Sequence, residues 1–207
     1  MTSPRLDVFR TDAAVIELSW QEPETFAELY DRHAAPLHRY VGRRLGDAMA
    51  DDVVADTFLT AFRARLRYDL HRPDARPWLY GIAANMIGKH RQAEVRRLKA
   101  LARTAQAMPA DPGAGWAAVP AGADEIASRL DAVAVRSDLL RALAGLSAGD
   151  RDVLLLIAWA GLTYDETAAA LGVPSGTVRS RLNRARRKMR EALGGQDPTS
   201  ICQELHS

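Results

Sequence analysis

The stretch Leu162 to Leu193, LTYDETAAALGVPSGTVRSRLNRARRKMREAL, constrains the fold more than any other part of the chain. Thr163 with Glu166 three residues on is a capping-box pattern, a hydroxyl and a carboxylate that satisfy free amides at a helix start, and it predicts a short helix through Leu171. Gly172 ends that helix. After Val173 and Pro174, Ser175 is the expected cap of a second helix, whose apolar positions Val178, Leu182, Ala185, Met189 and Leu193 recur at steps of three or four. One face therefore packs inward. The rest carries Arg179, Arg181, Arg184, Arg186, Arg187, Lys188 and Arg190 against the single acid Glu191, a charge of about +6. An Arg-rich amphipathic helix alone is often no more than a solvated face. Here a capped short helix, a glycine turn and a basic second helix with Ser175, Thr177, Arg179, Ser180 and Asn183 near its start fit the helix-turn-helix geometry that places side chains in a DNA major groove.

With 207 residues the chain can bury a core without staples, as one domain or two small ones. The N-terminus lacks a basic run followed by an apolar stretch, and no window reaches the apolar length a bilayer requires. A cytoplasmic protein without membrane insertion is expected. The single cysteine, Cys202, excludes an internal disulfide and any CxxC site, and with His206 it makes two ligands, too few for a zinc centre. No metal or other cofactor is expected. The net charge of +2 conceals strong sorting of charge by segment.

Residues 1–22 lack clear periodicity and read as a loose lead-in, with Trp20 packing on the first domain. From Pro23, suited to the first turn of a helix, Phe26, Leu29, Tyr30, Leu37, Tyr40, Val41 and Leu45 follow a helical stripe that Gly46 closes. A second helix is predicted from about Ala50 to Arg67, with Val53, Val54, Thr57, Phe58, Ala61 and Phe62 inside. Asp51, Asp52 and Asp56 lie towards its start, where acids complement the helix dipole. The polar segment Tyr68 to Pro77, YDLHRPDARP, interrupts helix with two prolines. A third helix opens at Pro77 or Trp78, buries Leu79, Ile82, Ala83, Met86 and Ile87, and continues into a basic extension with Lys89, Arg91, Arg96, Arg97, Lys99 and Arg103 against Glu94 alone, about +5. Basic side chains beside Trp78, Tyr80 and Asn85 suit stacking and backbone contact with single-stranded nucleic acid, although Trp78 fits the core as well as a base.

Residues 104–122 change character, becoming rich in Ala, Pro and Gly, and mark a flexible linker around Trp116. A second helical domain is predicted over 123–193. Ile126, Leu130, Val133, Leu139, Leu140, Leu143 and Leu146 lead into Ser147, whose spacing to Asp150 opens a helix through Val153, Leu154 and Ile157. Gly194 and Gly195 stop the last helix, leaving a tail over 194–207. The expected fold is all-α, two small helical domains (23–103 and 123–193), the C-terminal one a helix-turn-helix.

The blocks DVVADTFLTAFR, RPWLYGIAAN and RDVLLLIAWAGLTYDETAAALGVPSGTVRSRLNRARRKMR, in that order and spacing, resemble the bacterial RNA polymerase sigma factors of the extracytoplasmic function group of the sigma-70 family, over about Pro23 to Leu193. The resemblance implies a non-enzymatic initiation factor with two modules. One docks on the polymerase beta-prime clamp helices and opens the minus-10 element; the other reads the minus-35 element and meets the beta flap. It implies docking through Asp52, Asp56, Thr57 and Phe58. It implies minus-10 contacts by His71, Arg72, Asp74, Arg76, Asn85 and Lys89, and minus-35 contacts by Ser175, Thr177, Arg179, Ser180, Asn183, Arg184 and Arg186. Promoter DNA, core polymerase and an anti-sigma protein clamped around both modules are the implied partners.

The chain departs from the family pattern at two places. Ala55 and Asp56 stand where Gln-Glu is usual, and Gly81 stands where a basic residue is common, at a helix-interior cost of about 0.5–1 kcal/mol relative to Ala. Two other readings of the same residues are a transcriptional regulator that never joins polymerase and an RNA-binding or protein-interaction module whose basic helices are structural.

Overall fold

A computed structural model describes residues 10–107 and 137–193, which form helices and turns with no strand among them. In chain order these are α1 (Asp12–Leu18), a 3-10 turn (Pro23–Phe26), α2 (Ala27–Leu45), α3 (Asp47–Ala64), a second 3-10 turn (Arg65–Arg67), α4 (Arg76–Lys89) and α5 (Arg91–Ala107). They are followed by α6 (137–145), α7 (Ala148–Ala158), α8 (Tyr164–Leu171) and α9 (Ser175–Ala192). The predicted positions Ile126, Leu130 and Val133, Trp116, and the tail with Cys202 and His206 lie outside the described residues.

The first half is built on α2, α3 and α4. Gly46, at φ 97°, ends α2 and opens α3, so the two helices reverse direction at one residue. Leu29, Leu37, Tyr40 and Val41 from α2 meet Val53, Val54, Phe58 and Ala61 from α3 and Leu79, Ala83 and Ile87 from α4, all buried. Each large side chain in that set contributes about 1.5–3 kcal/mol by leaving water. Tyr30 departs from its expected place on the stripe: it is half exposed, its ring edge-on to Phe58 at 4.9 Å.

Two expectations are corrected here. The lead-in is an ordered helix, α1, capped by Thr11 and burying Ala13, Val15 and Ile16. The third helix does not run on into its basic extension; it breaks at His90, whose amide turns back to the Ile87 carbonyl at 2.9 Å. The apolar stripe of α4 stops at Ile87, and the next buried positions, Glu94, Leu98 and Ala102, begin a new phase on α5. A kink lets each segment bury its own face. Because α5 runs to Ala107, helix persists past the expected start of the linker.

In the second half α7, α8 and α9 pack with α6 around Leu139, Leu143, Val153, Leu154, Leu156 and Leu162. Arg151, 1% exposed, donates to the carbonyls of Leu143, Ala144 and Leu146 at 2.8, 3.1 and 2.9 Å, taking up acceptors that the end of α6 leaves open.

The halves also pack on each other. At Gly81 on α4, a Cβ would lie 2.3 Å from the Ala170 carbonyl oxygen of α8, so the helix that lacks a side chain there is the one that lets α8 approach. This is a physical reason for the glycine that stood out in the sequence. A buried ionic cluster crosses the same boundary. Arg44 of α2 reaches Glu94 of α5 through Nε at 2.6 Å and Asp152 of α7 through Nη2 at 2.6 Å, while Arg151 holds the other Glu94 oxygen at 2.9 Å. Tyr40 adds its hydroxyl to Arg44 at 2.8 Å. Burial pushes the Tyr40 phenol up to about 12 and raises the Asp152 carboxyl above its ordinary value in spite of Arg44.

Candidate nucleic-acid interface

The turn before the basic helix forms as its residues dictate. Glu166 N–H donates to Thr163 Oγ1 at 3.2 Å and Thr163 N–H donates to Glu166 Oε2 at 2.7 Å, the two reciprocal bonds of the capping box. Gly172 takes the left-handed conformation at φ 62° and returns its amide to Ala168 and Ala169. Ser175 is not the cap expected of it. Pro174 occupies that position in extended geometry, and the Ser175 hydroxyl instead donates to Asp165 of α8 at 2.7 Å, pinning the two helices across the turn. That use of the hydroxyl competes with any contact to DNA.

On α9, Val178, Leu182, Ala185 and Met189 are buried, which turns Arg179, Ser180, Asn183, Arg184 and Arg187 outward. Ser180, Asn183, Arg184 and Arg187 line an open recess of about 410 Å³. Arg187 was counted in the basic face but not among the reading residues; its three-residue step from Arg184 was the signal. Arg184 is half exposed and donates to Asp150 of α7 at 3.2 Å, so it has a structural partner as well as a free face. Arg186 and Thr177 are half buried, and the Arg186 Nε is enclosed without a partner.

The segment between Tyr68 and Pro77 is stapled from below. The Tyr68 hydroxyl donates to the carbonyls of Arg72 at 2.8 Å and Asp74 at 3.1 Å, and Trp78 packs on the Tyr68 ring at 4.8 Å. Trp78 is thus part of the support for the loop, not a bare platform. Burial and the neighbouring carboxylates of Asp12 and Asp74 push the Tyr68 phenol up to about 12, which keeps it a donor. Asp69 gathers the His71 amide, the His71 ring and the Arg72 guanidinium at 3.2, 3.1 and 3.3 Å, and Asp74 caps the Arg76 amide at 2.8 Å. His71 and Arg72 project from this frame into solvent, and Asn85 and Lys89 follow on the outer face of α4. Arg76 is drawn to the other half, donating to the Ala160 carbonyl at 2.8 Å.

Of the four residues expected to dock on a protein, Asp52 and Asp56 are exposed, whereas Thr57 is fully buried with its hydroxyl on the Val53 carbonyl at 2.7 Å, and Phe58 is 6% exposed. Helical geometry explains the division: positions 52, 56, 59 and 63 share one face of α3, and 57 and 58 fall on the other. Leu59, 45% exposed, is the apolar residue on that outward face. It was not among the residues expected to dock, and its absence from the inward set Val53, Val54, Thr57, Phe58, Ala61 and Phe62 was the signal.

Among the described residues no group of His, Cys, Asp or Glu gathers to hold a metal ion, and no helix is long and apolar enough to cross a membrane.

Two family models match the chain: Sigma-70 region 2 over residues 29–103 and Sigma-70, region 4, over residues 136–189. The chain is 38% identical over 168 residues to the ECF RNA polymerase sigma factor SigL of Mycobacterium tuberculosis, spanning 80% of this chain and 86% of that one. It is 32% identical over 175 residues to the RNA polymerase sigma factor CarQ of Myxococcus xanthus, spanning 83% of this chain and 90% of that one. The solved structure of CnrH, a sigma factor of Cupriavidus metallidurans, in complex with the cytosolic domain of CnrY aligns with a TM-score of 0.57 at 26% identity, covering 90% of this chain and 99% of that chain.

Proposed function

The chain belongs to the sigma-70 family as an alternative sigma factor of the extracytoplasmic function group that directs promoter-specific transcription initiation, and from that premise we propose which of its surfaces do the work. The outer face of α9 reads the minus-35 element. B-DNA's major groove is about 12 Å wide and admits one helix. Arg179 and Arg184 suit guanine O6 and N7, Asn183 suits an adenine edge, and Ser180, Arg186 and Arg187 bind the phosphate backbone. The single observation that carries this reading is the outward row Arg179, Ser180, Asn183, Arg184 and Arg187 on the helix that the capped α8 and the Gly172 turn present to solvent.

The stapled loop over 68–77 receives an extruded minus-10 base, with His71, Arg72 and Asp74 at its rim and Asn85 and Lys89 holding the strand beyond. Flipping a base costs a few kcal/mol of unstacking, which these contacts offset. The α3 face with Asp52, Asp56 and Leu59 meets the beta-prime clamp helices, and the second half meets the beta flap. No chemistry is assigned to the chain itself; catalysis rests with the polymerase, and both act in the cytoplasm.

Reading both elements requires the halves to part. The elements lie about 25 base pairs apart, roughly 85 Å at 3.4 Å per step. In the packed arrangement α9 sits on α8 and α8 on α4, which at 8–10 Å between helix axes puts the two reading surfaces within about 30 Å. The packed form is therefore the resting state. CnrH, which aligns over both halves, was solved with the cytosolic domain of CnrY, and an anti-sigma protein of that kind is the partner that would hold this state.

The test is reconstitution. Full-length protein mixed with core polymerase should co-migrate in gel filtration and start transcripts at promoters mapped by 5′-end sequencing after overexpression. Failure to co-migrate with core would refute the docking reading. Unchanged promoter choice after substitution of Arg179, Asn183 and Arg184 together would refute the assignment of α9.

A further inference from the structure

The region 2 match begins at residue 29, so α1 lies ahead of the part shared with the family model. Its first residue, Asp12, is nonetheless 8% exposed and fully engaged. One carboxylate oxygen accepts from Arg32 at 3.0 Å; the other accepts from His33 at 2.8 Å and from the backbone amide of Ala75 at 3.0 Å. Next to it, the Ala13 amide donates to the Pro73 carbonyl at 3.4 Å. Two bonds thus run from α1 to the last residues of the 68–77 loop.

Ala75 is the residue that opens α4, and it is completely buried. Its amide is one of those a helix start leaves without an intrahelical partner, and a carboxylate there also meets the positive end of the helix dipole. Asp74 caps the next amide, that of Arg76, so the loop's own acid is already committed. Asp12 supplies from 63 residues away the acceptor that the local sequence lacks. Arg32 and His33 on α2 hold the carboxylate in place, and Thr11 fixes the start of α1 through its hydroxyl on the Ala14 amide at 3.2 Å.

We propose that Asp12 is a positioning residue for promoter opening: by fixing Ala75, beside the Ala13 amide that holds Pro73, it sets the depth and aim of the loop whose rim, His71 and Arg72, receives the minus-10 base. This rests on the loop assignment made above. Asp12 itself stays buried and touches no DNA. Without it the Ala75 amide is buried and unpaired, and the loop relaxes towards water.

The experiment uses holoenzyme assembled from full-length chain and core, on a promoter fragment mapped by 5′-end sequencing and labelled with 2-aminopurine at the minus-10 position. Asp12→Ala should slow the fluorescence rise of opening by about tenfold while duplex association changes less than about twofold. A template pre-melted at the minus-10 element should restore most of the lost rate. Hydrogen exchange of the free protein should show faster exchange at 73–76 with the amides of α2 and α3 unchanged. Asp12→Asn, which keeps an acceptor for Ala75, should recover most of the opening rate, and it carries the test if the alanine variant does not fold. The proposal is overturned if Asp12→Ala opens the promoter at the wild-type rate, if association and opening fall together, or if Asp12→Asn folds normally yet opens as poorly as Asp12→Ala. Replacing His71 and Arg72 with alanine separates the two readings. If those variants open normally, the loop assignment fails; if they are impaired and Asp12→Ala is not, only the role of Asp12 fails.

Discussion

Replacing Gly81 with alanine should uncouple the two halves without weakening either. The new Cβ would stand 2.3 Å from the Ala170 oxygen and 3.0 Å from its carbon, both backbone atoms that no side-chain rotation can move. A comfortable carbon–oxygen contact is about 3.3 Å or longer, so α8 must withdraw by about 1 Å. Overpacking of this kind costs about 1–3 kcal/mol. Within α4 the same change is favourable, since Ala is about 0.5–1 kcal/mol better than Gly in a helix interior. The two effects act on different equilibria: unfolding of the first half becomes harder, and closure of the halves becomes weaker by about 5–150-fold. Small-angle scattering and hydrogen exchange separate them. A compact chain of 207 residues has a radius of gyration of about 17 Å; the variant should scatter with a larger radius, and amides of α8 should exchange faster while those of α3 do not. Binding of a minus-10 single strand should tighten, because Arg76 leaves the Ala160 carbonyl. An unchanged radius with α8 amides protected as in the wild type would refute the account of Gly81.

Three further outcomes follow from the same contacts. Glu94→Gln takes the charge from a carboxylate that is 2% exposed and shared by Arg44 and Arg151; urea unfolding should show a loss of about 3–5 kcal/mol, the range for a buried ion pair broken from one side. Arg184→Ala should lose discrimination at one minus-35 position by about 1–3 kcal/mol in competition binding. It also strands Asp150, whose second oxygen is already without a partner, so the unfolding midpoint should fall as well, and weakening equal on all sequences would make it a phosphate contact. The Asp12 carboxyl is pushed up by burial, but His33, the Ala75 amide and Arg32 outweigh this and hold it below its ordinary 3.8. A lowered carboxyl contributes stability that is present above the unfolded value and lost as pH falls through the folded one. Wild type should therefore lose unfolding free energy below about pH 3.8 more steeply than Asp12→Asn does, measured by urea titration from pH 6 to 3.

What was legible in the chain was whatever depends on neighbours a few residues apart. Thr163 and Glu166 cap each other, Gly172 turns left-handed, and Val178, Leu182, Ala185 and Met189 are all buried, each following from spacing within one helix. The outward set on α9 came with them. Residues whose partners are remote stayed hidden. Arg44 meets Glu94 at a separation of 50 residues and Asp152 at 108, and nothing in the local pattern of either distinguishes a buried ion pair from a solvated charge. Asp12 looked like part of a loose lead-in because its ligands are an arginine and a histidine on another helix and one backbone amide. Thr57 and Phe58 show the reverse case: the resemblance marked them for docking, while the helical period that had already placed them inside was the better guide.

The composition of the boundary between the halves explains how a closed form can be specific and still open. An apolar interface gains free energy in proportion to the area it removes from water, and separating it forfeits that gain. The cluster of Arg44, Glu94, Arg151 and Asp152 behaves differently, because each charge regains hydration when the halves part, and the net worth of a buried ion pair against its solvated members is small. Its geometry is nonetheless demanding, with contacts across the boundary of 2.6 Å from Arg44 to Asp152 and 2.9 Å from Arg151 to Glu94 that only one docking of α7 against α2 and α5 can satisfy. Gly81 adds a second shape requirement where α4 meets α8. Register is thus set by elements that contribute little depth. When the halves part, Arg44 keeps Glu94 and Arg151 keeps its backbone carbonyls, while the Arg44–Asp152 and Arg151–Glu94 contacts are exchanged for water. In the open form proposed above, polymerase and promoter contacts then need to supply only a modest difference to reverse the equilibrium.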